Sequence, residues 1–106
     1  MASDSSLPFR LTPAARADVA AILSYTAEAW SYAQADRYAD ELSQVFDMIA
    51  RMPSLGRAAS GFQPPVRIHV HRSHLIIYRI ADDHVAILRL LGGRQNWLTI
   101  LRASDL

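Results

Sequence analysis

The spacing of apolar residues changes once along the chain, and this change restricts the fold more than any other feature. Between residues 13 and 52, apolar residues recur every three or four positions, which is the period of an α-helix. From Val66 to Leu91 they recur mostly at every second position, which is the period of a β-strand. At 106 residues the chain has room for one hydrophobic core. The sequence therefore predicts a single α+β domain over residues 1–106.

The helical part divides into two helices. Thr12 is a good N-cap and Pro13 suits the first helical position, so the first helix is predicted from Pro13 to about Trp30. Ser31 followed by Gln34 matches a capping box, which starts a second helix at once and predicts a helix hairpin. The predicted buried stripes are Ala15, Val19, Ile22, Leu23, Thr26 and Trp30 on the first helix, and Tyr38, Leu42, Val45, Phe46, Ile49 and Met52 on the second.

The remaining segments are predicted to be a tail, an edge strand, a loop, a meander and a last helix. Residues 1–6 read as a frayed tail and Phe9–Leu11 as a short strand. Proline and glycine make residues 53–65 a loop that crosses from the helices to the sheet. Strands beginning at Val66, Leu75 and Val85 then form an antiparallel three-strand meander, and residues 95–101 form a short C-terminal helix.

The length of the hairpin loops decides which side chains share a face of this sheet. Loops of three residues would place one apolar set against the helices and one basic set on the opposite face. The predicted helix-facing set is Val66, Ile68, Val70, Ile76, Tyr78, Ile80, Ala86, Leu88 and Leu90. The predicted opposite face holds Arg67, Arg79 and Arg89 with His69, His71, Ile77 and Ile87, and has no acidic residue opposite the arginines.

Positive charge is concentrated in the middle of the chain. Residues 48–81 hold no Asp or Glu but contain five arginines and three histidines. The planar guanidinium group suits carboxylates and phosphates, so this region predicts a recognition surface. A net charge of only +1 argues against strong DNA binding by the chain alone.

Missing residue types exclude several kinds of chemistry. The absence of cysteine removes disulfides and thiolate zinc sites, and the absence of lysine removes a lysine base. His69, His71 and His74 could be read as a metal cluster, but no Cys or acidic residue of the same strands completes a ligand set, so no metal or cofactor is predicted. No secretion signal or membrane span is visible, which makes the cytoplasm the expected location.

Several short segments, in their order and spacing, resemble the ParE/RelE superfamily of toxins of type II toxin–antitoxin systems, and most closely the ParE branch. The resemblance covers roughly residues 8–102. The segments that carry it are Phe9–Ala15, Ile22 with Tyr25-Thr26 and Trp30, Pro53–Arg57, His74–Ile80 and Leu88–Trp97.

This resemblance implies a small cytoplasmic toxin, of a type associated with plasmid stabilization, that inhibits DNA gyrase by binding. It also implies neutralisation by a ParD-like antitoxin, through which alone the toxin would associate with DNA, and it implies no membrane partner. The residues expected to bind antitoxin or target are Arg67, Arg72, Arg79, Arg89, Arg94, Trp30 and Trp97. For Trp30 and Trp97, packing alone is the competing interpretation.

The RelE branch, which cleaves messenger RNA on the ribosome, is the main alternative. RNA cleavage needs a proton acceptor, a proton donor and positive charge on the phosphate. RelE-type enzymes supply these from lysines, arginines and a C-terminal tyrosine, whereas here lysine is absent and residues 95–106 hold neither Tyr nor His. A nuclease would have to use His71, Arg72 and Arg94, so the sequence favours a binding protein. A degenerate toxin that only binds its antitoxin is the third possibility.

Overall fold

A computed structural model describes residues 7–104 and confirms the predicted α+β class. Its elements are β1 (Phe9–Leu11), α1 (Pro13–Ala29), α2 (Tyr32–Arg51), a 3-10 turn (Pro53–Leu55), β2 (Arg57–Ala59), β3 (Val66–His71), β4 (His74–Ile80), β5 (Val85–Gly92) and α3 (Trp97–Ala103). The predicted tail at residues 1–6 lies outside the described residues. Within residues 7–104, no helix combines the length and the apolar character needed to cross a lipid bilayer.

Both helices of the hairpin begin at the predicted caps. The Thr12 side chain accepts a hydrogen bond from the third residue of α1, and Ser31 Oγ accepts one from the Gln34 N–H at 3.0 Å. The return bond of a capping box is not made, because the Gln34 side chain accepts from Arg37 and the Ser31 N–H donates to the carbonyl of Thr26. The predicted N-caps are therefore confirmed, while only half of the capping box forms.

The five strands form one mixed sheet in the order β1-β5-β4-β3-β2. The predicted meander of β3, β4 and β5 is confirmed, and β1 extends it by pairing parallel with β5. The predicted loop at residues 53–65 contains an element that the sequence did not indicate, since β2 pairs antiparallel with β3. This loop is tied to the sheet by Tyr78, whose hydroxyl accepts from the Gly56 N–H at 2.8 Å and donates to the Pro53 carbonyl at 2.6 Å.

Two hydrophobic cores lie on opposite sides of the sheet. The core between the sheet and the helix hairpin, here called the helix side, includes Leu42, Phe46, Ile49, Ile76, Tyr78, Val85, Ile87 and Leu90. The core on the other side, here called the outer side, includes Ala59, Val66, Ile68, Ile77, Leu88, Leu91 and Leu101, with Trp97 and Ile100 packed against it. Helix α3 therefore covers the outer side, so neither face of the sheet is a plain solvent-exposed surface.

The predicted assignment of β3 to the two sides is wrong. Val66 and Ile68 belong to the outer core instead of the helix side, and Val70 is exposed. The β3–β4 hairpin turns through two residues, Arg72 and Ser73, where three were predicted, and Arg72 adopts a positive φ of 54°. A change of one residue moves every side chain of a strand to the opposite face.

A β-bulge in β5 changes the sides a second time. Tyr78 pairs with Ile87 and Ile77 pairs with Arg89, so that Leu88 is the extra residue. Ile87 therefore lies in the helix-side core and Leu88 in the outer core, the reverse of the prediction. Ala86 likewise packs against the outer core, while Ile76, Tyr78 and Leu90 lie on the helix side as predicted.

Candidate binding cleft

A cleft of about 730 Å³ opens between the two helices and the tip of the β3–β4 hairpin. Helix α1 contributes an apolar wall, α2 contributes polar and charged side chains, and the hairpin closes one end. The lining residues are Ala21, Ile22, Tyr25, Thr26 and Trp30 of α1 and its cap, Gln34, Arg37, Tyr38 and Glu41 of α2, and Arg72, Ser73 and His74 of the hairpin.

Two aromatic side chains on the α1 wall are largely exposed. Tyr25 is 68% and Trp30 77% accessible, although Trp30 falls on the apolar stripe predicted to be buried. Helix α1 ends just before Trp30, at Ala29, so the ring lies beyond the part of the helix that packs on the sheet. Large aromatic rings at the rim of an apolar cleft are typical anchors for a partner protein.

Glu41 joins α2 to the hairpin at the end of the cleft. Its carboxylate accepts hydrogen bonds from the guanidinium of Arg72, one of them at 2.7 Å, and from His71 Nε2 at 2.8 Å. The hydrogen bond from Arg72 lowers the pKa of Glu41 to about 2, so this carboxylate is ionised at neutral pH. The positive charge of Arg72 is therefore balanced within the molecule, which the sequence did not predict.

A second contact lies beside the first. The Tyr38 hydroxyl and His74 Nδ1 are 3.2 Å apart, and the Tyr38 ring stacks near His71. Burial lowers the pKa of His74, and the neighbouring His71 lowers it further. His74 is consequently a neutral imidazole at pH 7, and it forms one hydrogen bond with the Tyr38 hydroxyl. Across the part of the chain that the structure covers, no three His, Asp or Glu side chains are grouped to hold a metal ion.

The remaining predicted arginines do not form one basic face. Arg67 lies on the helix side and donates to the carbonyls of Ser54 and Gly56. Arg89 makes two hydrogen bonds with the carboxylate of Asp18, at 2.7 and 3.0 Å. The prediction of an outward surface shared by Arg67, Arg79 and Arg89 without an acidic neighbour is therefore wrong, because α1 supplies that acid.

Three predicted residues lie away from the cleft wall. Arg79 pairs with Ala86 across the outer side of the sheet, and Arg94 is exposed in the turn that leads to α3. Trp97 begins α3 and packs against the outer core. The Gly93 N–H donates to the Ser73 carbonyl, so the turn that carries Arg94 lies at the same end of the sheet as the hairpin tip.

Sequence reasoning missed the two carboxylates that organise these arginines. Asp18 and Arg89 are 71 positions apart, and the Glu41 and Arg72 partners are 31 apart, so no local spacing connects them. The available signal was indirect: Asp18 and Glu41 lie one position from apolar stripe residues of their helices, where a side chain can reach the sheet.

With this geometry established, comparison with known proteins identifies the family. The profile described as "ParE toxin of type II toxin-antitoxin system, parDE" matches residues 9–97. The chain belongs to the ParE toxin family. The resemblance seen in the sequence is confirmed. The matched part of this ParE-type toxin contains the residues of the cleft, the contacts of Glu41 and most of the outer core on which α3 packs.

Curated relatives agree with this membership. Toxin ParE1 of Caulobacter vibrioides is 34% identical over 89 residues, which are 84% of this chain and 92% of that protein. Toxin ParE1 of Mycobacterium tuberculosis (strain H37Rv) is 32% identical over 89 residues, 83% of this chain and 91% of the relative. A solved structure described as "Chromosomal ParDE TA system from P. aeruginosa" has a TM-score of 0.69 at 18% identity, covering 84% of this chain and 98% of that one. The last comparison supports the ParE fold.

Proposed function

We propose that this ParE-type toxin acts in the cytoplasm by binding DNA gyrase, and that a ParD-like antitoxin neutralises it by docking in the cleft. The observation that carries the antitoxin part is the exposed aromatic wall, within a family defined by toxin–antitoxin pairs. The similar P. aeruginosa structure is of a ParDE system, which supports a partner of the ParD type. Gyrase is the target that the ParE branch implies, and plasmid stabilization is the corresponding biological role.

The charges around the hairpin support binding over RNA cleavage. Two of the three groups that a nuclease would use, His71 and Arg72, already donate to Glu41. A scissile phosphate approaching them would meet a carboxylate whose pKa is about 2 and which stays ionised. That negative charge opposes the charge that RNA cleavage develops in its transition state.

The shape of the cleft supports a helical or extended peptide as its occupant. Its α1 wall is apolar with exposed rings, and its far end is polar, with Gln34 and Arg37 near the rim. An amphipathic antitoxin segment would bury its apolar residues against Tyr25 and Trp30 and place acidic residues near Arg37. A disordered antitoxin segment would pay its ordering entropy as it folds on the toxin, and the burial of its apolar residues in the cleft would offset that cost.

Expression of the toxin alone distinguishes the possible activities. The proposal predicts growth arrest, induction of an SOS reporter and trapped gyrase–DNA cleavage complexes, with intact messenger RNA. Fragmented ribosome-bound transcripts would instead identify a RelE-type ribonuclease, and normal growth with retained antitoxin binding would identify a degenerate toxin. Either of these two results rejects the gyrase proposal.

A matched pair of substitutions tests the cleft. Trp30→Ala removes the ring that lines the cleft, whereas Tyr32→Ala removes one that is 83% exposed but does not line it. For Trp30→Ala we expect a loss of about 2–4 kcal/mol in affinity for the antitoxin from the adjacent reading frame, which is roughly 30- to 1,000-fold in Kd. Titration calorimetry measures both variants, and equal small losses for the two would place the antitoxin elsewhere.

A further inference from the structure

The arginines of the strand region differ in whether the protein already provides them with acceptors. Arg72 and Arg89 pair with carboxylates, and Arg67 donates to backbone carbonyls. Beyond residue 52, the four other arginines make no ion pair among residues 7–104 and lie on or beside the outer side of the sheet: Arg57, Arg79, Arg94 and Arg102. This group, here called the outer arginines, has positive charge that the described fold leaves uncompensated.

Two of the outer arginines are held in place by aromatic rings. The Arg57 guanidinium carbon lies 6.0 Å from the centre of the Trp97 ring, and that of Arg102 lies 5.9 Å from the Phe62 ring. Both rings pack against the outer core, while both arginines are exposed. A guanidinium stacked on a ring keeps its N–H edge available for an acceptor and has fewer conformations to lose on binding.

The other two have unused hydrogen-bonding capacity. The Nε atom of Arg79 is buried and has no hydrogen-bond partner in the described structure. An unsatisfied buried donor costs free energy in the free protein, and because Nε is shielded from solvent, a phosphate would bind the remaining N–H groups of this half-buried side chain. Arg94 is exposed in the turn before α3, where its side chain can adjust its conformation to contact a bound partner.

The distribution of charge defines the chemistry of that partner. Residues 48–81 and 84–104 contain no acidic side chain, so the acids nearest to this surface in sequence are Asp82 and Asp83 in the β4–β5 turn and Asp105, which lies outside the described residues. Helix α2 on the opposite side of the molecule exposes Asp36, Asp40 and Asp47. The small net charge of +1 therefore conceals two faces of opposite sign, and the outer one fits a polyanion.

We propose that the outer arginines form a surface that binds the phosphate backbone of duplex DNA. Guanidinium groups bind phosphates through paired hydrogen bonds, and two that are held on aromatic rings beside two more suit a row of phosphates. The aromatic rings of this surface are half-buried beneath guanidinium groups, so they offer no open platform on which unpaired bases could stack. This inference goes beyond the proposed function, depends on neither the antitoxin nor gyrase, and departs from the expectation that the toxin associates with DNA only through its antitoxin.

Fluorescence anisotropy of the purified full-length toxin with a labelled 20-base-pair duplex, at several salt concentrations, tests the proposal. Four phosphate contacts predict that log K falls with log [salt] with a slope of about −3 to −4, which is roughly 100-fold weaker binding at 200 mM than at 50 mM salt. Substituting Arg57, Arg94 and Arg102 with Gln should reduce the magnitude of the slope by about 2–3.

A control variant with the same change in net charge distinguishes the effect of where the arginines lie from the effect of net charge alone. The variant with Arg16, Arg37 and Arg51 replaced by Gln removes three exposed arginines of α1 and α2, away from the outer side of the sheet, and should keep most of the affinity for the duplex and most of the slope. Equal losses in the two triple variants, or no duplex binding at 50 mM salt, would overturn the proposal.

Two further measurements keep the result decisive. If the outer triple variant fails to fold by circular dichroism, Arg94→Gln alone, in an exposed turn, should still reduce the slope by about 1. A poly-glutamate peptide and a single-stranded RNA, each matched to the duplex in charge, serve as competitors. Displacement of the duplex by either one at a lower concentration than by unlabelled duplex would assign the surface to an acidic protein or to RNA and reject duplex DNA.

Discussion

The hydroxyl of Tyr78 provides the most direct test of how the sheet holds the loop after α2. The side chain is fully buried, and its hydroxyl makes two hydrogen bonds to that loop, from the Gly56 N–H and to the Pro53 carbonyl. Tyr78→Phe removes both bonds and leaves the buried Gly56 N–H without an acceptor. A net hydrogen bond contributes about 1 kcal/mol and an unsatisfied buried donor costs about 1–3 kcal/mol, so we expect a loss of about 2–4 kcal/mol in the free energy of unfolding.

Urea unfolding followed by circular dichroism measures this loss, with Tyr32→Phe as the control. Tyr32 is 83% exposed, so its variant should remain within about 0.5 kcal/mol of the parent protein. Gly56→Ala gives an independent check, because a Cβ atom there would lie 2.6 Å from the Tyr78 hydroxyl. The double variant should lose less than the sum of the two single losses, since Phe removes the contact with the hydroxyl, although the contacts at 2.9 Å with ring atom Cε1 and at 3.0 Å with the Ile68 carbonyl remain. A loss below about 1 kcal/mol for Tyr78→Phe would refute this account of the loop.

Three other predictions concern the helices. Asp18→Ala should cost about 2–4 kcal/mol in unfolding free energy because it leaves the half-buried Arg89 and a strand-edge N–H without their acceptor, and Asp18→Asn should recover part of this loss. The pKa of Glu41 is lowered in the folded protein from 4.5 to about 2, so its contribution to stability is present above pH 4.5 and disappears as the pH falls toward 2. Glu41→Gln should therefore flatten the acid side of a stability–pH profile, and an unchanged slope would contradict this. Ser31→Ala should cost about 1 kcal/mol, whereas Gln34→Ala should cost under about 0.5 kcal/mol because the return bond of the capping box is absent. Thermal unfolding compares these two variants.

The elements of the fold were predictable because their signals are local. Thr12, Ser31 and Pro53 mark the ends of the helices by cap and backbone chemistry that acts within a few residues. The alternation of apolar and polar residues in β3, β4 and β5 likewise indicates strands directly. Family resemblance then gave the correct arrangement of these elements.

The two sides of the sheet were not predictable for equally specific reasons. Arg72 adopts a left-handed conformation that is usual for Gly or Asn, so the sequence did not reveal a two-residue turn. The bulge at Leu88 has no marker in the sequence either. Each of these features shifts the alternation of side chains by one residue. Together they place the arginines that were predicted to share one basic face on different sides of the sheet.

The sequence predicted individual residues of the candidate site but not the contacts between them. Arg72 and Trp30 do line the cleft, but the partners that determine their surroundings come from distant segments. Charge balance between Glu41 and Arg72 depends on how α2 lies over the hairpin, which no count of charges reveals. For the same reason, the outer arginines could be separated from the balanced ones only after their neighbours were known.

The position of Asp18 also affects how copies of the protein can associate. β1 covers only the first three residues of β5, and beyond it the carboxylate of Asp18 accepts from the Leu90 N–H at 2.9 Å, where another strand would otherwise bind. The opposite border of the sheet is the three-residue β2, which begins with the exposed Arg57. On one side, the three-residue edge strand β1 is followed by a stretch of β5 that Asp18 blocks, and on the other side the edge strand is short and charged. Both edges discourage edge-to-edge pairing of sheets, so the free toxin should resist aggregation through strand pairing.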